Sequence, residues 1–499
     1  MYRLSRRDFL SGIAVTASCA AVLRPFEMVA QMEPPAQPIL FPEHFYWGAA
    51  TAAMQIENSP AYEGGGMSLW EPFIVQNPKV MKDSSSPKVT CDETHHWRED
   101  IALMQQIDLN SYRFSISWPR LLPEGKGRVN QRGIDFYDRF IDGLLAANIK
   151  PLVTCFHFDY PDALQQQGGW TVGDSPKWFS DYSHLLATRY SDRVEEWLTI
   201  NEPNIALGLG CEVGIMPPAR QLSEPELAQQ LHHMLLGHGM SVQAIRAGAK
   251  RPVKVALPVA GMIRIPASNA AGDIEAARVA SFTPRRVVLI PGVPPSPMLN
   301  NALWLDPIFK GMYPEPAFEL YPTLRQIAKP DDLKVISTAV DRCAVNLYFG
   351  MRARAGADGQ PEIVPASPDA QRTHYDWEVT PEIMYWAPKY LYERYGKPIL
   401  ITENGMSWAD KPGPDGRVHD PQRIAFMNAY LNGLRRAIHA GVPIDGYMHW
   451  SLIDNWEFTS GFTEQFGLVY VDHLSQKRIL KDSGLYYREI IQSRGAALM

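Results

Sequence analysis

Residues 197–204 read WLTINEPN, and residues 398–405 read PILITENG. In the first, Leu198, Thr199 and Ile200 favour an extended backbone. Pro203 has no N–H to give to a ladder, so the strand must stop there. Asn201 and Glu202 are thereby left at the carboxyl end of a strand, the end on which α/β barrels collect their chemistry. The second stretch repeats the construction: an apolar strand delivers Glu403 and Asn404, and Gly405 turns the chain. Two carboxylates on two separate strand ends are the equipment that glycoside hydrolysis needs.

Working outward, strand-like runs alternate with helical segments. Eight such runs are expected, at 45–53, 111–118, 150–158, 196–201, 254–262, 343–349, 398–403 and 444–452. Amphipathic stretches at 133–147, 224–247 and 420–440 lie between them. Alternation of this kind calls for parallel strands joined by crossover helices, and eight units suggest a closed barrel rather than an open sheet. The expected architecture is α/β, a single (β/α)8 TIM barrel with extended loops after its strands. The proline-rich part from 267 to 306 is expected to be the longest irregular loop. Smaller insertions of similar character are expected at 76–90 and 352–376.

The bulk numbers agree with one large domain. The chain has 499 residues, of which 45% are hydrophobic and 20% charged, enough to bury a sizeable core and too apolar for disorder. Its net charge is −6, with no long basic run, which argues against nucleic acid as a partner. The five cysteines show no metal-ligand spacing. Cys155 and Cys343 lie in apolar runs as small core residues, and the sequence assigns no disulfide. No dinucleotide fingerprint, P-loop or HExxH is present, so neither a cofactor nor a metal is called for. No feature selects an oligomeric state.

The first thirty residues are a separate matter. Ser5-Arg6-Arg7-Asp8-Phe9-Leu10 is a twin-arginine pattern, followed by an apolar run over 13–23. The run is too short to span a bilayer, so stable membrane insertion is not expected. The domain reading is therefore a twin-arginine-type signal over 1–30, a Pro-rich linker over 31–40 and a glycosidase barrel over 41–499. Met28-Val29-Ala30 is a rough match to a cleavage site, and Cys19 sits in a poor lipidation box. Export to the periplasm or the exterior follows as an expectation.

The strand ends carry further polar and aromatic groups: Gln55 after the first, Arg113 in the second, His157 after the third, Asn346 and Tyr348 at the sixth, Trp450 and Glu457 at the last. Together with FYWGAATAAMQIE at 45–57, SYRFSISWPRLLPEGKGRVN at 111–130, LTINEPN at 198–204, NLYF at 346–349, ITENG at 401–405, HWSLIDNWEF at 449–458 and FGLVYVD at 466–472, they make the chain closely resemble the family 1 glycoside hydrolases. That is the β-glucosidase family of retaining (β/α)8 enzymes, and the resemblance runs from about 41 to 491. It implies that Glu202 is the general acid/base and Glu403 the nucleophile, with Arg113 and Tyr348 holding the nucleophile ionised and oriented. It further implies that Gln55, His157, Asn201, Asn346 and Glu457 bind the hydroxyls of the terminal sugar, and that Trp450, Phe458 and Phe466 wall the sugar subsite. The substrate is then a β-glycoside or oligosaccharide with a terminal non-reducing sugar, glucose in the first instance. A retaining mechanism would put the two carboxyl groups about 5–5.5 Å apart.

Three departures from the family pattern stand out. Phe158 follows His157 where Trp is usual, Trp456-Glu457-Phe458 replaces Phe-Glu-Trp, and Met54 stands where an aromatic is common. Phe458 lacks the indole N–H that could donate to a sugar, which bears on the preferred glycone. Thr463-Glu464-Gln465 supplies no Lys or Arg for a phosphorylated sugar. The rival readings are a transglycosidase using the same residues and a non-catalytic carbohydrate-binding barrel; the presence of both glutamates speaks against the latter.

Overall fold

The computed structural model describes residues 40–499; the signal and linker expectations fall on residues outside these, apart from Leu40. Nine parallel strand segments form one sheet: β1 (Tyr46–Ala50), β2 (Ser111–Ser115), β3 (Lys150–Phe156), β4 (Glu196–Ile200), β5 (Lys254–Ala256), β6 (Pro258–Ala260), β7 (Cys343–Asn346), β8 (Ile399–Asn404) and β9 (Ile444–Trp450). Their order is β5-β4-β3-β2-β1-β9-β8-β7-β6. Only Leu257 separates β5, which pairs with β4, from β6, which pairs with β7. The two segments are thus one interrupted strand, and the sheet closes on itself as the expected eight-stranded barrel. First and last strands meet in register, Tyr46 opposite Gly446 through Ala50 opposite Trp450. Closure leaves no free edge.

Helices wrap the sheet. In α2 (Gln131–Ala146), Ile134, Tyr137, Ile141 and Leu144 recur at intervals of three and four and are buried, the pattern of a helix with one face on a core. The helix α4 (Glu224–Gly248) starts with a capping box in which Ser223 and Glu226 satisfy each other's backbone donors, as the sequence Ser-Glu-Pro-Glu allows. Others are α1 (Glu93–Gln106), α3 (Ser175–Tyr190), α7 (Ile383–Tyr395), α8 (Pro421–His439) and α9 (Asp482–Gln492).

The segment 267–306 is not one irregular loop. It contains α5 (Ala271–Phe282) and the start of α6 (Asn301–Lys310). The prolines cluster between 284 and 297, and the Ala-rich run before them has no helix breaker beyond Gly272. The insertion at 352–376 likewise holds structure: Arg352–Ala355 pairs antiparallel with Pro361–Val364 and parallel with Ile265–Pro266. Cys91, Cys155, Cys211 and Cys343 are all free and buried. Among the described residues no helix is long and apolar enough to cross a membrane.

Candidate active site

Glu202 and Glu403 stand at the carboxyl ends of β4 and β8. Glu202 has φ 43 and precedes the short helix Pro203–Leu207. A non-glycine residue in the left-handed region is strained, and such strain persists where surrounding contacts over-determine it. Its N–H donates to Pro258 O at 2.8 Å, and its carboxylate accepts from Asn346 Nδ2 at 2.8 Å. Glu403 lies where the register of β8 slips against both neighbours: against β7 between Ile401 and Glu403, against β9 between Ile401 and Asn404. A bulge of this kind re-aims a side chain, and bulges are common beside active sites.

The side chain that Glu403 meets is Arg113, fully buried in the barrel on β2. A buried guanidinium has to be paired and have its donors satisfied. Arg113 forms an ion pair with Glu403 and donates to Asn201 Oδ1 at 2.6 Å, Thr402 O at 3.0 Å and Thr154 Oγ1 at 3.1 Å. Tyr348 OH donates to the other oxygen of Glu403 at 2.8 Å. Thr154 and Thr402 are members of this network that the strand-end reading passed over. Thr402 Oγ1 donates to Asn346 Oδ1 at 2.6 Å, orienting the amide that reaches Glu202. The only sequence signal for Thr154 and Thr402 is a hydroxyl inside an otherwise apolar strand.

The two carboxylates differ in what surrounds them. Burial and the negative Glu403 push Glu202 up to about 8, against the lesser pull of Asn346 and Arg113. Burial raises Glu403 as well, but Arg113, Tyr348 and Asn346 all favour its charged form. Arg113, Tyr348 and Asn346 thus favour the charge on Glu403, while burial and Glu403 favour the proton on Glu202, an asymmetry of the kind that acid–base chemistry uses. Glu457, pushed up to about 8 by burial and by Glu403, is a third carboxyl in the same field.

The remaining expected residues gather around this pair. Asn201 Oδ1 accepts from Arg113 and, at 3.2 Å, from Asn346 Nδ2, so its amide nitrogen is the group that meets His157 Nε2 at 3.1 Å. His157 is held neutral by burial and by Arg113, and its Nε2 must accept, which puts the proton on Nδ1. That buried Nδ1 and Gln55 Oε1 have no partner in the protein, a donor and an acceptor suited to sugar hydroxyls. Gln55 Nε2 reaches Asn455 Oδ1 and Trp456 O at 3.2 Å and Glu457 Oε2 at 3.3 Å. The loop bearing Glu457 is anchored by a buried network in which Lys481 Nζ donates to Asp454 Oδ1 at 2.8 Å and Asp410 Oδ2 at 2.6 Å.

The aromatic expectations divide. Trp450 stacks on His157 with ring centroids 5.7 Å apart, beside the orphaned Nδ1. Phe458 packs on Trp70 at 4.6 Å and Phe158 at 5.3 Å, and Met54 joins the same apolar cluster. Phe466 is buried in a cluster with Trp450, its ring 6.3 Å from Tyr348; it backs the residue that orients Glu403. Glu57, just beyond Gln55, pairs with Arg120 Nε at 2.7 Å and Tyr137 OH at 2.7 Å, a structural bracket. Among the described residues no group of three or more His, Cys, Asp or Glu could hold a metal ion.

The profile described as "Glycosyl hydrolase family 1" matches residues 37–496. The chain belongs to this family. Beta-glucosidase A of Thermotoga maritima is 38% identical over 458 residues, 91% of this chain and 98% of the relative. A 1,4-beta-D-glucan glucohydrolase of Thermotoga neapolitana is 38% identical over 458 residues, 91% of this chain and 99% of the relative. A solved structure of the Thermotoga maritima β-glucosidase in complex with glucoimidazole matches with a TM-score of 0.82 and 38% identity, covering 92% of this chain and 100% of that one. This family 1 chain is accordingly a glycoside hydrolase acting on O-glycosyl bonds, built on the family's TIM barrel.

Proposed function

We propose that this family 1 hydrolase is an exo-acting retaining β-glucosidase in which Glu403 is the nucleophile and Glu202 the acid/base. The observation that carries the reading is the different electrostatic setting of the two carboxyls. Arg113 and Tyr348 keep Glu403 charged and aimed, while burial keeps the proton on Glu202. In the first step Glu403 attacks the anomeric carbon as Glu202 protonates the departing oxygen. In the second, Glu202, now a carboxylate, takes a proton from water, which opens the glycosyl-enzyme. His157, Asn201, Gln55 and Glu457 hold the hydroxyls of the terminal sugar, and Trp450 floors its ring. Glucose as glycone is supported by the names of the relatives, β-glucosidase and glucan glucohydrolase. Transfer to an acceptor sugar instead of water uses the same groups and is separated only by products.

The test is a panel of 4-nitrophenyl β-glycosides, with and without added cellobiose as acceptor. The glucoside should give the highest kcat/KM, with β-glucose as the first-formed anomer by NMR. An α-anomer at early times would exclude retention, and a galactoside or fucoside ten times better would move the glycone. If cellobiose diverts most glycosyl groups into longer products, the chain is foremost a transglycosidase.

We also propose that the chain is exported folded. The twin-arginine pattern at 5–10 supports this, and the family match begins only at residue 37. The four buried free thiols place no demand on an oxidising compartment for folding. Replacing Arg6 and Arg7 by Lys should leave activity in the cytoplasmic fraction of a bacterial host; unchanged periplasmic activity would dismiss the leader.

A further inference from the structure

The exchange of Trp and Phe around Glu457 has a structural counterpart. The indole Nε1 of Trp456 donates to Ser85 Oγ at 2.9 Å, in the insertion at 76–90. That segment is tied to the hairpin at 456–464 by three further links. Lys82 N donates to Thr459 O at 3.1 Å. Phe462 N donates to Asp83 Oδ2 at 2.7 Å. Lys82 Nζ pairs with Glu464 Oε1 at 3.0 Å, and the other oxygen of Glu464 meets His374 Nδ1 at 3.0 Å.

These links are built rather than incidental. Trp456 is fully buried against Trp70 and Phe458. Glu464 is 2% exposed, and a carboxylate so enclosed needs a cation and hydrogen-bond partners. Gly461, at φ +65, lies so close to the Asp83 carboxylate that a Cβ there would collide with it. Asp83 also accepts from Ser85 N at 2.9 Å, shaping the turn that presents Ser85 to the indole. Lys82, Asp83 and Ser85 of one short segment thus grip both ends of the hairpin that carries Glu457.

We infer that residues 82–85 are a specificity strap: by locking the Glu457 hairpin they close the glycone pocket beyond its first sugar. This rests on the reading of Glu457 as a glycone ligand. On that reading Glu457 holds a hydroxyl of the terminal sugar, so a second sugar joined at that hydroxyl would have to displace the hairpin. With the strap fastened, the pocket admits one terminal residue, and the Trp456 indole donor serves the strap instead of the sugar. Lys82, Asp83 and Ser85 are positioning residues: they act through Glu457 and touch no reacting atom.

The experiment compares the full-length enzyme with Asp83→Ala/Ser85→Ala on 4-nitrophenyl β-cellobioside and 4-nitrophenyl β-glucoside. The unaltered enzyme should first release glucose from the cellobioside. The variant should release cellobiose directly, the initial cellobiose-to-glucose ratio rising at least tenfold, and its KM for the glucoside should rise more than its kcat falls. Lys82→Met, which cuts a different link, should shift the ratio the same way and serves if the double variant does not fold. An unchanged product ratio in a folded variant overturns the strap. Failure of the unaltered enzyme to cleave the glucoside overturns the β-glucosidase reading beneath it.

Discussion

Glu403→Gln leaves a protein that binds glucosides and does not turn them over. The amide keeps the shape and can still accept from Tyr348, but it is a poor nucleophile, so no glycosyl-enzyme forms. The kcat for 4-nitrophenyl β-glucoside should fall by roughly 10⁴-fold or more, the scale seen when a group that forms the covalent intermediate is removed. The same change strips the counter-charge from Arg113, which is wholly buried. An uncompensated buried charge costs about 3–5 kcal/mol, so thermal unfolding should begin at a lower temperature even though binding of a glucose-like inhibitor survives. Calorimetry with such an inhibitor checks the binding, and stopped assays check the turnover. Near-normal turnover in this variant removes Glu403 as nucleophile.

Glu202→Ala separates the two chemical steps. Substrates with poor leaving groups, such as cellobiose, should slow by about 10²–10⁴-fold, the range of general acid catalysis. A 2,4-dinitrophenyl glucoside, which departs without a proton, should form its glycosyl-enzyme readily and stall at the second step. Azide, small enough for the space left by the carboxyl, should restart that step and give β-glucosyl azide. The pH profile carries the sign of the same assignment. Glu202 is held up to about 8 by burial and then by Glu403, so the acid is present at neutral pH and lost as pH rises through about 8. For the unaltered enzyme, kcat/KM on cellobiose should decline there. Glu457 titrates in the same range, so the limb belongs to both groups. The share due to Glu202 is the part absent when the dinitrophenyl substrate is used. Absence of β-glucosyl azide among the products would transfer the acid/base role elsewhere.

Much of this is legible in the sequence because its causes are local. Pro203 ends β4 one residue after Glu202, and Gly405 follows β8 two residues after Glu403; β-branched runs ahead of each state the strand within a few positions. The same holds for α2, whose apolar spacing is written in its own sixteen residues. Where causes mix within one window the reading failed. The prolines at 284–297 masked α5, and the strands at 352–364 draw their order from pairing with Ile265–Pro266, almost ninety residues earlier.

By itself, then, the sequence determined the order of elements, the barrel and the identity of the paired glutamates, since strand stops and hydrophobic period act over a few bonds. The family resemblance implied which glutamate is the acid, but only tertiary structure gave the physical cause: burial, with Arg113, Tyr348 and Asn346 arriving from other strands. It also decided that the unpartnered donor and acceptor are His157 Nδ1 and Gln55 Oε1, and that the indole beside Glu457 reaches back to Ser85. Charge, burial and hydrogen-bond direction depend on what lies within a few ångströms in space, and residues hundreds of positions apart become neighbours only when the barrel closes.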